Sequence, residues 1–363
     1  MIDEKQRDRN RPNRLVDYVS AFGPGAAPAT RRILTIDGGG IKGVFPAAFL
    51  ATLEDELGGP IADYFDLVAG TSTGGIIAIG LGLGMTAKQL LRVYRETGSR
   101  IFCPRRFGAG LMSFFRAKYT DVALRQVLVQ ALGGRHLGES KTRLLIPALN
   151  LAAERVHLYK TSHHPKLLHD YKVSAVEVAL ATVAAPTYFP IHVSPEGVPY
   201  IDGSLWARNP LGLAVIEAIG VLEWPRDQIR VLSLGCTSTH LNVSWQKRIS
   251  LGTSYWGTRI ADVFMKAQSS SAIATAHVLI GSKNIYRISP DMSAHHFTLD
   301  GVHHMPLLAK LGHDEAVRQL PGLRDVFFRE KALPFEPCHK LQSVRMLDVA
   351  PPPAAAMISS AAA

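Results

Sequence analysis

Phe65-Asp66-Leu67-Val68-Ala69-Gly70-Thr71-Ser72-Thr73-Gly74-Gly75-Ile76-Ile77-Ala78-Ile79-Gly80 holds the transition that decides the fold. FDLVA is a short apolar run of the length and composition of a buried strand, and Thr73 to Gly84 carries a helical pattern. Between them, Gly70 to Gly74 reads G-x-S-x-G. A serine on a tight strand-to-helix turn is held in a strained backbone conformation that lifts its Oγ clear of the sheet, and flanking glycines leave the chain room to turn. The helix that begins there directs unpaired N–H groups and a positive dipole end toward a reacting oxygen. Without those flanks the same five residues are a plain turn with a hydroxyl cap. The flanks make Ser72 a candidate nucleophile.

Upstream, RRILTI (31–36) reads as a strand and Val44 to Leu57 as a helix, with Asp37-Gly38-Gly39-Gly40-Ile41-Lys42-Gly43 between them. Three successive glycines present backbone N–H groups unobstructed by side chains, which suits a phosphate cradle or an oxyanion hole as well as a tight turn. The loop lacks the Lys-Ser/Thr ending of a P-loop and has no dinucleotide fingerprint. Beside a serine elbow the oxyanion reading is favoured, through Gly38, Gly39 and Gly40. Downstream, TRLLIPALNL, RVHLYK, PYID and QIRVLSLG read as strands, and Ser174 to Ala185 and Pro210 to Gly220 as helices. Helical stretches between Ser250 and Gly281, a strand near KNIYRIS and a helix from Pro306 to Leu320 follow. This order predicts an α/β fold with a largely parallel, covered sheet.

The chain has 363 residues, 47% hydrophobic and 19% charged, enough to bury a large core and unlike a disordered or fibrous sequence. Residues 1–30 read as a flexible lead-in, 31–235 as the catalytic domain, 236–345 as an extension of the same domain, and 346–363 (ending PPPAAAMISSAAA) as a disordered tail. The apolar stretch from Gly74 to Met85 is shorter than a membrane-spanning helix needs. The opening MIDEKQRDRNRPNR lacks the apolar block of a secretory signal. Three scattered cysteines, Cys103, Cys236 and Cys338, fit a reducing compartment and form no zinc or disulfide pattern. The expected location is the cytoplasm. A formal charge of +10 and a pI near 9.6 favour anionic surfaces such as phospholipid headgroups or nucleotides. No motif for duplex nucleic acid is present.

A nucleophilic serine needs a base, most often histidine. The 14 histidines include the pairs His163/His164, His295/His296 and His303/His304. None has a recognisable catalytic setting, and adjacent residues on a strand point apart instead of toward one metal. No HExxH or comparable ligand set occurs, so no metal is expected. Asp202, in Tyr200-Ile201-Asp202-Gly203-Ser204 at the end of an apolar strand, is the better candidate. A carboxylate in a partly desolvated site can have its pKa raised enough to accept the serine proton. Taken singly, Asp-Gly after a strand is a common turn. The case rests on the three elements together.

DGGGIKG, GTSTGG and IDGS, in that order, resemble the three signature blocks of the patatin-like phospholipases over roughly Arg31 to Gly235. That resemblance implies a three-layer α/β/α fold with a mostly parallel central sheet and a C-terminal helical extension packed on it. It further implies a Ser-Asp dyad, Ser72 with Asp202, cleaving acyl esters of glycerophospholipids without a metal, with Gly38, Gly39 and Gly40 shaping the oxyanion hole. Two positions depart from the pattern. Ser204 stands where Gly or Ala is usual, which bears on local hydrogen bonding. Lys42 stands where Arg is frequent, keeping the charge but losing the bidentate fork that could meet a lipid phosphate.

The length, the GTSTGGIIAIGLGLG block and YIDGSLWARNPL are similar to the cyclic-nucleotide-activated patatin-like effectors of bacterial anti-phage (CBASS) systems. That narrower resemblance implies an enzyme idle until a cyclic dinucleotide binds, then degrading the membrane from its cytoplasmic face. Its implied partners are membrane phospholipid, a cyclic dinucleotide and a homo-oligomer, with no cofactor for the chemistry itself. The alternatives are a constitutive lipid acyl hydrolase, a serine hydrolase of peptides or thioesters, and a non-hydrolytic nucleotide-binding module. Between Ile101 and Tyr119, basic and aromatic residues interleave (IFCPRRF, then FFRAKY), a pattern open to a lid, a membrane-contact loop, part of a nucleotide pocket, or a solvated loop with apolar residues tucked inward. No nucleotide-contacting residue is assigned from the sequence.

Overall fold

The computed structural model describes residues 30–103, 117–237, 256, 260–290 and 297–341. The 346–363 tail, residues 1–29 of the lead-in and most of the 101–119 segment lie outside the described residues, as does the pair His295/His296.

One mixed sheet organises the chain. Its strands are β1 (Arg31–Ile36), β2 (Leu67–Gly70), β3 (Arg143–Asn150), β4 (Arg155–Lys160), β5 (His192–Val193), β6 (Pro199–Asp202), β7 (Ile229–Leu234) and β8 (Ile285–Ile288). They lie in the order β5-β6-β3-β2-β1-β7-β8, with β4 paired to β3. The five from β3 to β8 through β2, β1 and β7 are mutually parallel, while β4, β5 and β6 form antiparallel pairings.

Strand alternation accounts for the layers. Leu34, Ile36, Val68, Leu144, Ile146, Leu232 and Leu234 enter one core with α1 (Val44–Leu57), α2 (Thr73–Gly82), α3 (Ala87–Ile101), α4 (Val122–Leu132) and α5 (Ala175–Val183). Their strand neighbours Ile33, Leu67, Ala69, Leu145, Ile229 and Val231 face the other way. There they meet two more helices, and a short one, α6 (Ser204–Ala207), precedes these. The two are α7 (Leu211–Gly220) and α8 (Ile260–Ile280), which contribute Leu211, Ala214, Val215, Ala276 and Ile280. Helices therefore cover both faces of the sheet, giving the expected three layers.

The last helix, α9 (Met305–Phe327), runs past the expected stop at Leu320 and keeps Pro321 inside it. A proline in a helix interior costs about 3 kcal/mol. Leu323 and Phe327 beyond it are buried, and each large apolar side chain removed from water contributes roughly 1.5–3 kcal/mol. Phe327 packs edge-on to Tyr286 at 5.2 Å and lies 5.9 Å from Phe65. Burial thus offsets the broken hydrogen bond. Helix α3 starts with a capping box in which Gln89 N–H donates to Thr86 Oγ1 at 3.1 Å and Thr86 N–H to Gln89 Oε1 at 2.9 Å. The Glu54 carboxylate of α1 accepts the Ala87 N–H at 2.7 Å, placing an anion at the positive end of α3. Among the described residues no helix is long and apolar enough to cross a membrane.

Candidate active site

Sheet register brings two remote residues level. Strand β2 pairs with β3 up to Ala69 opposite Leu145, and β3 pairs Ala148 with Asp202 of β6. Ser72 lies three residues past Ala69, and Ala148 three past Leu145, so residues 130 positions apart in sequence end side by side. Ser72 Oγ donates to Asp202 Oδ2 at 2.7 Å. Both groups are buried, with 7% of Ser72 and 2% of Asp202 exposed.

The serine turn is strained. Ser72 has φ 54° and ψ −123°, the first-corner conformation of a type II′ turn, where glycine is usual. Its own N–H donates to Thr182 Oγ1 at 2.9 Å, and that hydroxyl donates to Pro147 O at 2.6 Å. Thr71 Oγ1 donates to Ala207 O at 2.7 Å. Gly74 packs so closely on β1 that a Cβ there would lie 2.3 Å from Ile36 O, so the first turn of α2 can approach the sheet only without a side chain.

The glycine loop after β1 is anchored by residues that sequence reading had not singled out. The Asp37 carboxylate takes a bidentate ion pair from Arg287 of β8, at 2.8 Å (Nη1–Oδ1) and 2.5 Å (Nη2–Oδ2), and Arg287 also reaches Ser233 Oγ. Gly38 N–H donates to Arg208 O at 2.9 Å while Arg208 Nε donates to Gly38 O at 3.1 Å. The Gly38 N–H is thus already engaged, and Gly38 borders the cavity without a free amide. Gly39 and Gly40 have no acceptor for theirs among the described residues, and neither does Thr73 after the serine. Gly40 has φ +58°, and a Cβ there would meet Leu299 O at 2.2 Å. Leu299 O also accepts the Ile41 N–H at 2.8 Å. Pairings across such spans leave no local signal in the sequence.

Burial pushes the Asp202 carboxyl up to about 6, opposed by hydrogen bonds from Ser72 and from the backbone and side chain of Ser204. The Ser204 N–H donates to Asp202 Oδ1 at 2.7 Å. The departure at Ser204 therefore acts directly on the carboxylate. Since these bonds favour the ionised form, Ser204→Ala is expected to move the acid limb of the kcat/KM profile to higher pH by a few tenths of a unit; an unmoved limb overturns this role.

A cavity of about 520 Å³ opens at the pair, walled by Gly38, Gly39, Gly40, Ser72, Asp202 and Arg208 on its polar side. Its other wall is apolar, with Ile76, Ile101, Phe102, Leu124, Phe189 and Met265. Tyr94 of α3 lines it too, its hydroxyl 2.5 Å from Thr73 Oγ1 and donating to Thr73 O at 3.1 Å. Lys42 is absent from these walls. It is buried, and desolvation with Arg208 nearby pulls its ammonium down to about 8, so the expected contact with a lipid phosphate is not available to it. Of the 101–119 segment, Phe102 and Tyr119 pack edge-on at 5.4 Å, and Tyr119 OH donates to Asp300 at 2.6 Å, which also pairs with Lys118.

Among the described residues, no histidine lines this cavity. His163 is buried and held between Thr161 Oγ1 and Glu217 Oε1, each at 2.9 Å. His303 and His304 do not point apart as expected of a strand: they lie in a 3-10 turn with ring centroids 3.9 Å apart. Among the described residues, no cluster of three metal-ligating side chains occurs.

An apolar slot ending in a serine hydrogen-bonded to a buried carboxylate, with unengaged amides alongside, is suited to acyl transfer from a lipid. A model of the patatin-like phospholipases matches residues 34–215, and the chain belongs to that family. Three relatives carry the description cGAMP-activated phospholipase. That of Pseudomonas aeruginosa (strain BWHPSA011 / Pa011) is 36% identical over 280 residues, covering 75% of this chain and 83% of the relative. Those of Vibrio cholerae serotype O1 and Escherichia coli (strain TW11681) are 32% and 33% identical, each covering 59% of this chain and 66% and 64% of their own lengths.

Proposed function

We propose that this chain is a serine acyl hydrolase of phospholipids, of the phospholipase A or lysophospholipase type. In this reading a cyclic dinucleotide switches it on, and it then degrades the bacterial membrane from the cytoplasmic face during anti-phage defence. The observation that carries the chemistry is the 2.7 Å bond from Ser72 Oγ to a carboxylate whose burial has raised its basicity. The nucleotide control rests on the description shared by the three relatives.

Asp202 accepts the Ser72 proton as Oγ attacks the ester carbonyl, and Gly39 and Gly40 N–H groups receive the developing oxyanion. The ester C–O bond then breaks, the glycerol oxygen takes the proton from Asp202, and the acyl group stays on Ser72. Water, deprotonated by the same carboxylate, then attacks the acyl carbonyl; the bond to Ser72 Oγ breaks, Oγ takes the proton back from Asp202, and the fatty acid is released. A base near 6 is ionised at neutral pH and still able to take up a proton, so activity should fall as pH drops through about 6. We assign the described part of the 236–345 extension to the same catalytic unit, because β8 extends the sheet and its Arg287 holds Asp37.

The test is fatty-acid release from phosphatidylglycerol and phosphatidylethanolamine vesicles with and without cGAMP. Release that depends on the nucleotide supports both parts of the reading. Equal release in both conditions removes the gating, and no release in either removes the assignment. Gly39→Ala is expected to lower the rate at least ~100-fold, because its Cβ would lie 2.4 Å from Cys236 Cβ and displace the loop. A near-native rate would move the oxyanion site elsewhere.

A further inference from the structure

Helix α3 bears the cavity residues Tyr94, Gly98 and Ile101 on one face. Another face of the same helix forms a wall of a second concavity, about 640 Å³, floored by Ala48, Ala51 and Thr52 of α1 and closed by Pro306, Ala309 and Lys310 of α9. Four cations line this groove, Lys88, Arg92, Arg95 and Lys310, against two carboxylates, Asp55 and Glu96. Lys88 is engaged by Asp55 at 3.0 Å, Lys310 is ion-paired with Asp314 one turn along α9, and His313 Nδ1 lies 3.0 Å from Thr52 Oγ1. Arg92 and Arg95 are exposed, one helical turn apart, and have no carboxylate partner among the described residues.

We propose that this groove seats the cyclic dinucleotide, Arg92 and Arg95 holding its two phosphodiesters and the alanine floor receiving its bases. The proposal rests on the nucleotide-gated reading above. Charge matches: each phosphodiester carries one negative charge, and guanidinium groups bind phosphate oxygens in pairs and stack on flat bases. Size matches as well, since the volume lies in the range of small-molecule sites.

Both walls lead to the catalytic centre. Through α3, Tyr94 bonds to Thr73, the residue after the nucleophile. Through α9, Met305 abuts Gly98 of α3, and the chain just before it carries Leu299, whose carbonyl holds the glycine loop at Ile41. A ligand that binds more tightly when α3 and α9 close on it therefore biases the serine turn and the oxyanion amides together.

The experiment titrates the full chain with cGAMP by calorimetry and measures vesicle hydrolysis with and without the nucleotide. It compares wild type, the double variant Arg92→Glu/Arg95→Glu, Lys310→Glu and Tyr94→Phe. Wild type is expected to bind and be stimulated. The double variant should bind about 30-fold or more weakly, with fluorophosphonate labelling and nucleotide-independent hydrolysis unchanged. Lys310→Glu should weaken binding to a lesser degree. Tyr94→Phe should bind as wild type and respond less. If the double variant binds and responds as wild type, the groove is not the site, though gating stands. If wild type hydrolyses vesicles fully without cGAMP and binds none, the gated reading falls and the groove with it. Full stimulation of Tyr94→Phe overturns the route through α3.

Discussion

Replacing Ser72 by glycine is expected to reduce phospholipid hydrolysis by about 10⁶-fold, as loss of the nucleophile does in serine hydrolases, and to leave a more stable protein than Ser72→Ala. Both variants lose Oγ and its bond to Asp202, so comparing them isolates the backbone. At φ 54° and ψ −123° a side chain is strained and glycine is not, a difference of about 1 kcal/mol. Thermal unfolding at pH 8 with vesicle hydrolysis alongside gives both readouts. Measurable turnover in either variant would reassign the nucleophile. Equal unfolding temperatures would mean that the turn is not strained.

Asp202→Asn is expected to lower hydrolysis by roughly 10⁴-fold, the upper range for a general base, while stabilising the fold above pH 6. The carboxyl ionises near 6 in the folded protein because it is buried, and near 3.9 when unfolded. As pH rises from about 4 to 6 the unfolded chain loses its proton first, so wild-type stability falls across that window by up to about 3 kcal/mol. A neutral amide escapes this loss. The variant should thus match wild type below pH 4 and exceed it at pH 8, as chemical denaturation at the two pH values would reveal. Greater wild-type stability at pH 8 would show that the carboxylate's hydrogen bonds outweigh its desolvation.

Much of the architecture was readable from local patterns. Val44 to Leu57 and RVHLYK coincide with α1 and β4, since apolar runs and their flanks report local conformation. The α9 end was missed because Pro321 reads as a breaker, and only the burial of Phe327 against Phe65 and Tyr286 shows why the helix continues. Within the site, the turn at Ser72 and the strand end at Asp202 were visible as separate motifs. Their approach to 2.7 Å was not, because it depends on the register of β2, β3 and β6. Thr182, Arg208 and Arg287 were overlooked for a related reason. Each acts on a partner 110, 170 or 250 residues away, and none belongs to a short motif. Lys42, adjacent to the glycines, was credited with a role that its burial removes.

The apolar wall facing Ser72 bears on more than substrate grip. Asp202 owes its proton affinity to exclusion of water, so under the proposed mechanism an acyl tail that displaces solvent from the slot makes this carboxylate a stronger base at the moment it is needed. Tail length should therefore register in turnover as well as in affinity, and a short, soluble ester that leaves the slot wet meets a weaker catalyst than a lipid that fills it.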